Sequence, residues 1–142
     1  MPIAIQSPEI QAFATGFPLT LMHFAVTLVI LFASATVYVL LTPHREITLI
    51  REGNAAAAVS LGGVLVGLAM PLAVSLKAST TVVELALWGA SIMIVQLLVF
   101  RLVDLVLRGL PRRIQDGEMA AAAMLVGAKL STAVILAAAV AG

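Results

Sequence analysis

The chain has 142 residues, of which 62% are hydrophobic and 11% charged, and its formal net charge is +1; soluble domains carry about 25% charged residues. With a mean hydropathy of +1.15 it lacks the polar side chains to cover a globular surface, which excludes an ordinary soluble domain, a disordered chain and a nucleic-acid binder. Cysteine is absent, so disulfides and thiolate chemistry are excluded as well.

A bilayer core about 30 Å thick is crossed by roughly 20 apolar residues in a helix. Residues 1–17 precede the first such stretch and read as an outward-facing interfacial segment, not a secretory signal, because no Lys or Arg precedes the apolar run. Within it, residues 7–16 suit a short helix with Ser7 as cap, Pro8 in the first turn and Glu9 at the positive dipole end; a loose tail is the alternative. Span one covers 18–41 and carries His23, which reads as an interfacial histidine, with proton sensing as the alternative.

Loop 42–53 follows. It alternates Ile47, Leu49 and Ile50 with Arg45, Glu46, Arg51 and Glu52, as a short amphipathic piece on a membrane surface would. Span two, 54–76, is uncharged, and Asn54 suits its N-cap. Gly63 and Gly67 make a ridge for close helix packing, and Pro71 predicts a kink beside it. This is a packing seam, within one subunit or between subunits, or else a gate.

Span three, 82–107, opens on Thr81-Val82-Val83-Glu84, a capping box that accounts for Glu84. Trp88 reads as an aromatic anchor, and Gln96, Arg101 and Asp104 lie farther along. Loop 108–118 supplies Arg108, Arg112 and Arg113. Span four, 119–141, holds Lys129 about 15 Å deep, where a charge costs about 2.5–3.5 kcal/mol on insertion scales. Gly127 and Ser131 extend a second small-residue ridge.

Helical side chains lean towards the helix N-terminus, so Lys129 and Asp104, on oppositely running spans, approach one another. Arg101, three residues before Asp104, competes. Lys129, Gln96, Arg101 and Asp104 are therefore the candidate intramembrane pathway; the plainer readings are a structural ion pair, a snorkelling lysine or a deprotonated one, with Gln96 as an interhelical hydrogen-bond partner.

The basic residues set the orientation. Arg45 and Arg51, with His44, lie in one loop and Arg108, Arg112 and Arg113 in the other, against Lys77 alone on the opposite side. Both loops are expected in the cytoplasm, where they can meet anionic lipid or partners, and both termini outside. A repeat is also visible at an offset of 64: Ile50, the acid–glycine step Glu52-Gly53 and the alanines from Ala56 align with Ile114, Asp116-Gly117 and the alanines from Ala120. The expected fold is all-α and polytopic, four transmembrane helices in two tandem parallel helix–loop–helix repeats, 18–76 and 82–142.

Thr42-Pro43-His44-Arg45-Glu46-Ile47, Leu49-Ile50, the Asn-Ala-Ala stretch from Asn54, Gly67, Pro71-Leu72, Trp88-Gly89 and Val95-Gln96-Leu97-Leu98-Val99-Phe100 occur in this order. They resemble the YjfL-like bacterial inner-membrane family, catalogued as domain of unknown function 350. The resemblance covers roughly residues 20–135, and Lys129 and Gly117-Glu118-Met119 depart from it. It implies a four-span bacterial inner-membrane protein and no established activity. No catalytic set, metal site or cofactor motif is legible, so the expectation is a non-enzyme without cofactors. We expect a homo-oligomeric channel or transporter-like assembly; the alternative is a scaffold whose basic loops hold lipid or a membrane or cytoplasmic protein.

Overall fold

A computed structural model describes residues 7–42 and 45–142; His44 lies outside the described residues. Six helices follow in order: α1 (Pro8–Leu41), α2 (Glu46–Arg51), α3 (Ala55–Ala78), α4 (Val82–Val106), α5 (Leu110–Gln115) and α6 (Met119–Ala141). The fold is all-helical among these residues, and α1, α3, α4 and α6 are long and apolar enough to cross a membrane. α3, α4 and α6 match expected spans two, three and four to within two residues, whereas α1 ends with expected span one but starts well before it.

The expected break between an interfacial helix and span one is absent. Ser7 caps the helix through Ile10 N–H, and α1 then runs 34 residues through Pro18, about 51 Å. In an apolar chain, continuing the helix satisfies every backbone group except the one bond that proline forfeits. Its first turns are exposed throughout residues 8–22, Phe13, Phe17 and Met22 among them.

α3 and α6 form the tightest pair, and side-chain volume explains why. Ala56 and Ala57 meet Ala121, Ala122 and Leu125 beneath Ile114, which plugs the loop end of the bundle. One turn deeper, a Cβ at Gly63 would stand 2.6 Å from both methyls of Val126. The ridge expected at Gly63 and Gly67 is thus a seam inside the subunit. Gly127 and Ser131 instead face outwards.

The middle of the bundle is filled by Val64, Leu68, Leu72, Ile92, Met93, Tyr38 and Phe100. Two tight turns deliver α3 and α6 from their surface helices, with φ of 89° at Gly53 and 83° at Gly117, a region that disfavours a side chain. Asn54 accepts from Ala57 N–H at 3.0 Å as N-cap. Its amide also donates to the carbonyls of Ile114 and Gln115 at 3.0 and 3.1 Å, stitching the two loop regions together.

Candidate functional site

The site gathers on α4, α6 and the loop end of α1. Gln96, Phe100 and Asp104 lie four residues apart on α4 and so share one face. Phe100 reaches into the bundle because residue 67 is glycine: a Cβ there would lie 2.7 Å from the Phe100 Cζ. The ring stands edge-on to Tyr38, with centroids 6.3 Å apart and planes at 85°.

Lys129, 1% exposed, ends between these rings. Its Nζ is 4.7 Å from the Tyr38 centroid and 5.6 Å from that of Phe100, distances at which a ring face attracts a cation. The Nζ donates to the Tyr38 hydroxyl at 2.7 Å and lies 2.8 Å from Asp104 Oδ1; the latter is an ion pair and not an aligned hydrogen bond. Arg101 stands 3.9 Å from Asp104 Oδ2 with a half-exposed side chain. In the competition for Asp104, Lys129 is therefore the nearer partner, as the opposed lean of the two side chains implies.

A cleft of about 330 Å³ on the loop side reaches Asp104 and is lined by Arg101, Leu105, Arg108, Arg112 and Gln115; Lys129 lies behind Asp104 and does not line it. Arg108 Nε donates to the Leu105 carbonyl at 3.2 Å, closing the C-terminal turn of α4. Farther from the loops the bundle is packed with Leu68, Leu72, Ile92 and Met93, so the polar access is one-sided in this conformation.

Sequence reasoning misplaced Glu46. It was assigned to the polar side of loop 42–53, yet it is 1% exposed, and Ile47 is the residue that faces outwards. The error was one of period. Alternation sets Glu46 against Ile47, whereas in a helix Glu46, Leu49 and Ile50 share a face. Neither Glu46 carboxyl oxygen has a hydrogen-bond partner among the described residues. Its pKa is pushed up to about 7, mainly by burial; the Lys129 charge draws it down and the Asp104 charge pushes it up. Tyr38 was missed as well. As the single tyrosine, in an apolar span, its hydroxyl required a partner, and that was the available signal.

The profile of the Domain of Unknown Function family DUF350 matches residues 12–140. The chain belongs to this family. Over 85 residues it is 33% identical to the UPF0719 inner membrane protein YjfL of Escherichia coli K12, and equally to that of Escherichia coli O157:H7. The match takes in 60% of this chain and 64% of each relative, so it spans less than two thirds of their length. No solved structure matches. With an inner-membrane relative and four apolar helices, this DUF350 chain is a multi-pass inner-membrane protein.

The remaining sequence candidates of this DUF350 member separate by position. Gln96 is 0% exposed and, contrary to expectation, neither amide atom has a partner among the described residues. Glu84 does close the cap of α4: Thr81 Oγ1 accepts from Glu84 N–H at 3.1 Å. The carboxylate reaches back one residue farther than a simple capping box, accepting from Thr80 N–H at 2.9 Å and its hydroxyl at 3.0 Å. His23 is nearly buried and contacts the Leu19 carbonyl through Nδ1 at 2.8 Å. Arg45, Arg51, Arg108, Arg112 and Arg113 are exposed at the loop end, and Arg113 is taken up by Glu118, to which its Nε donates at 2.7 Å.

Proposed function

We propose that the protein is a non-enzymatic, ion-translocating subunit of a homo-oligomer, with Lys129, Asp104 and Tyr38 as its working site. The observation that carries this is the buried Lys129–Asp104 pair, 2.8 Å across, whose Asp104 lines a cleft that also holds Arg101, Arg108 and Arg112. Charge inside an apolar span costs several kcal/mol, and ion pathways and proton relays are among the functions for which it is kept. Outward-facing Ala123, Gly127 and Ser131 on α6 supply a surface on which copies can associate.

The test is reconstitution. The detergent-solubilised protein is expected to run above the monomer mass. Proteoliposomes should pass ions faster than empty vesicles, and Lys129→Met should change that rate. A rate equal to that of empty vesicles overturns the reading. It would favour the scaffold alternative, for which the exposed Arg108 and Arg112 beside the cleft offer two guanidinium groups to anionic headgroups; recovery of lipid or partner should then depend on Arg112 and Arg113.

We further infer two tandem parallel repeats with cytoplasmic loops. α2 and α5 begin at 46 and 110, and α3 and α6 at 55 and 119, the same offset of 64 in each case. The cluster breaks this symmetry: Leu40, Leu65 and Leu110 stand where Asp104, Lys129 and Glu46 have their counterparts. Because the chain has no cysteine, single replacements report topology cleanly. Thr48→Cys and Gln115→Cys should resist a membrane-impermeant thiol reagent in intact cells, and Ala141→Cys should react. Labelling of the loops from outside would invert the orientation.

A further inference from the structure

The cluster contains more acid than the ion pair needs. Lys129 has three N–H donors; Asp104 lies against its ammonium and Tyr38 accepts one hydrogen bond. A second carboxylate, Glu46, is turned into the same region from α2, where the Lys129 and Asp104 charges act on it, almost without exposure and with neither oxygen partnered among the described residues. An ionised carboxylate in such a place is costly, whereas a neutral acid is tolerated. It is also mounted differently from its neighbours. Tyr38, Asp104 and Lys129 sit on long helices, while Glu46 opens a six-residue helix at the loop surface.

We propose that Glu46 is the proton-binding group of the site, competing with Asp104 for the Lys129 ammonium, so that the ion the site handles is a proton. The inference rests on the ion-translocation reading and names its ion. With Glu46 neutral, Lys129 stays on Asp104 and Tyr38, the arrangement seen here. When the Glu46 O–H gives its proton to water at the loop side, a carboxylate remains. The free donor of Lys129 then turns to it, the ammonium keeping its own three protons throughout. Uptake of one proton by Glu46 restores the first arrangement. Each cycle releases one proton and takes up one, and no covalent bond other than O–H is made or broken.

The groups that face Glu46 set the direction of this competition. α1 contributes Tyr38, α4 contributes Asp104, beyond which Arg101 stands, and α6 contributes Lys129. α3, on which α2 packs, brings no charge, since its single charged residue, Lys77, lies at its far end. On α2 and its flanks, Arg45, Arg51 and Glu52 are exposed. Burial and Asp104 favour the neutral acid, Lys129 the carboxylate, and the balance places the exchange near neutrality.

The test is infrared difference spectroscopy of the full-length protein in lipid nanodiscs, titrated from acid to alkaline pH, alongside proton uptake by proteoliposomes enclosing a pH-sensitive dye. A protonated-carboxyl signal should disappear with a midpoint of about 7. It should be missing from Glu46→Gln and present in Glu46→Asp, and Glu46→Gln should reduce proton uptake to the rate of empty vesicles. If the signal titrates and depends on Glu46 but the parent protein moves no protons, the proton site stands and the translocation reading falls. If the signal survives in Glu46→Gln, or no carboxyl titrates near neutrality, the proposal is overturned whatever the vesicles do. Flux of a metal cation without protons overturns it too.

Discussion

Lys129→Met is expected to destabilise the protein by about 3–5 kcal/mol, the usual cost of removing one partner from a buried ion pair. The methionine fills much the same volume and is at home in lipid, so the loss comes from what is left behind. Asp104 loses its partner at 2.8 Å, and Arg101, at 3.9 Å, is placed to compensate only in part. The Tyr38 hydroxyl also loses its donor. Adding Asp104→Asn should return most of the stability, because a buried pair of neutral groups no longer carries an uncompensated charge. Thermal unfolding in detergent of the parent, both single variants and the double variant gives the coupling directly. Additive losses would mean that the two side chains do not form a pair in the membrane. The same four proteins separate structure from function: a double variant that is stable yet passes no ions shows that the charges are retained for work, whereas one that keeps full flux reduces the pair to a fastener.

Much of this arrangement was legible in the sequence because the bilayer leaves few options. Apolar runs of span length can only be helices, so the four spans followed from counting. The Lys129–Asp104 approach followed from the lean of side chains on antiparallel helices. What escaped the reading depended on local geometry. Pro18 looked like a boundary, and the helix runs through it. Glu46 was read with a two-residue period, yet six residues of helix rotate it inwards and Ile47 outwards. Gln96 was expected to find an interhelical partner; none of the described side chains reaches its amide, and nothing in its spacing could reveal that. Tyr38 and Phe100 required tertiary structure, since a tyrosine on α1 meets a lysine 91 positions later only once α1 and α6 are brought together.

Glu46 should also make stability depend on pH, in the sense opposite to that of an ordinary salt-bridged carboxylate. Its pKa rises from the ordinary 4.5 to about 7 on folding, so the folded state binds the proton more tightly than the unfolded state does. Below the ordinary value both states hold the proton, and Glu46 imposes no penalty. As the pH climbs, the unfolded chain ionises first and stability falls. Above about 7 both states are ionised, and the full penalty, on the order of 3 kcal/mol, is in place. Glu46→Gln is isosteric with the neutral acid, which removes the titration and leaves the packing. The variant should match the parent under acid conditions and exceed it at alkaline pH, with the difference developing across that interval. Melting curves of the two proteins across the pH range measure this, and parallel curves would place the Glu46 carboxyl in contact with water. A divergence of that form gives the short surface helix α2 a thermodynamic stake in the buried cluster: each proton lost from Glu46 weakens the same bundle that holds Lys129 and Asp104 together, and linkage requires that loosening the bundle should in turn release the proton.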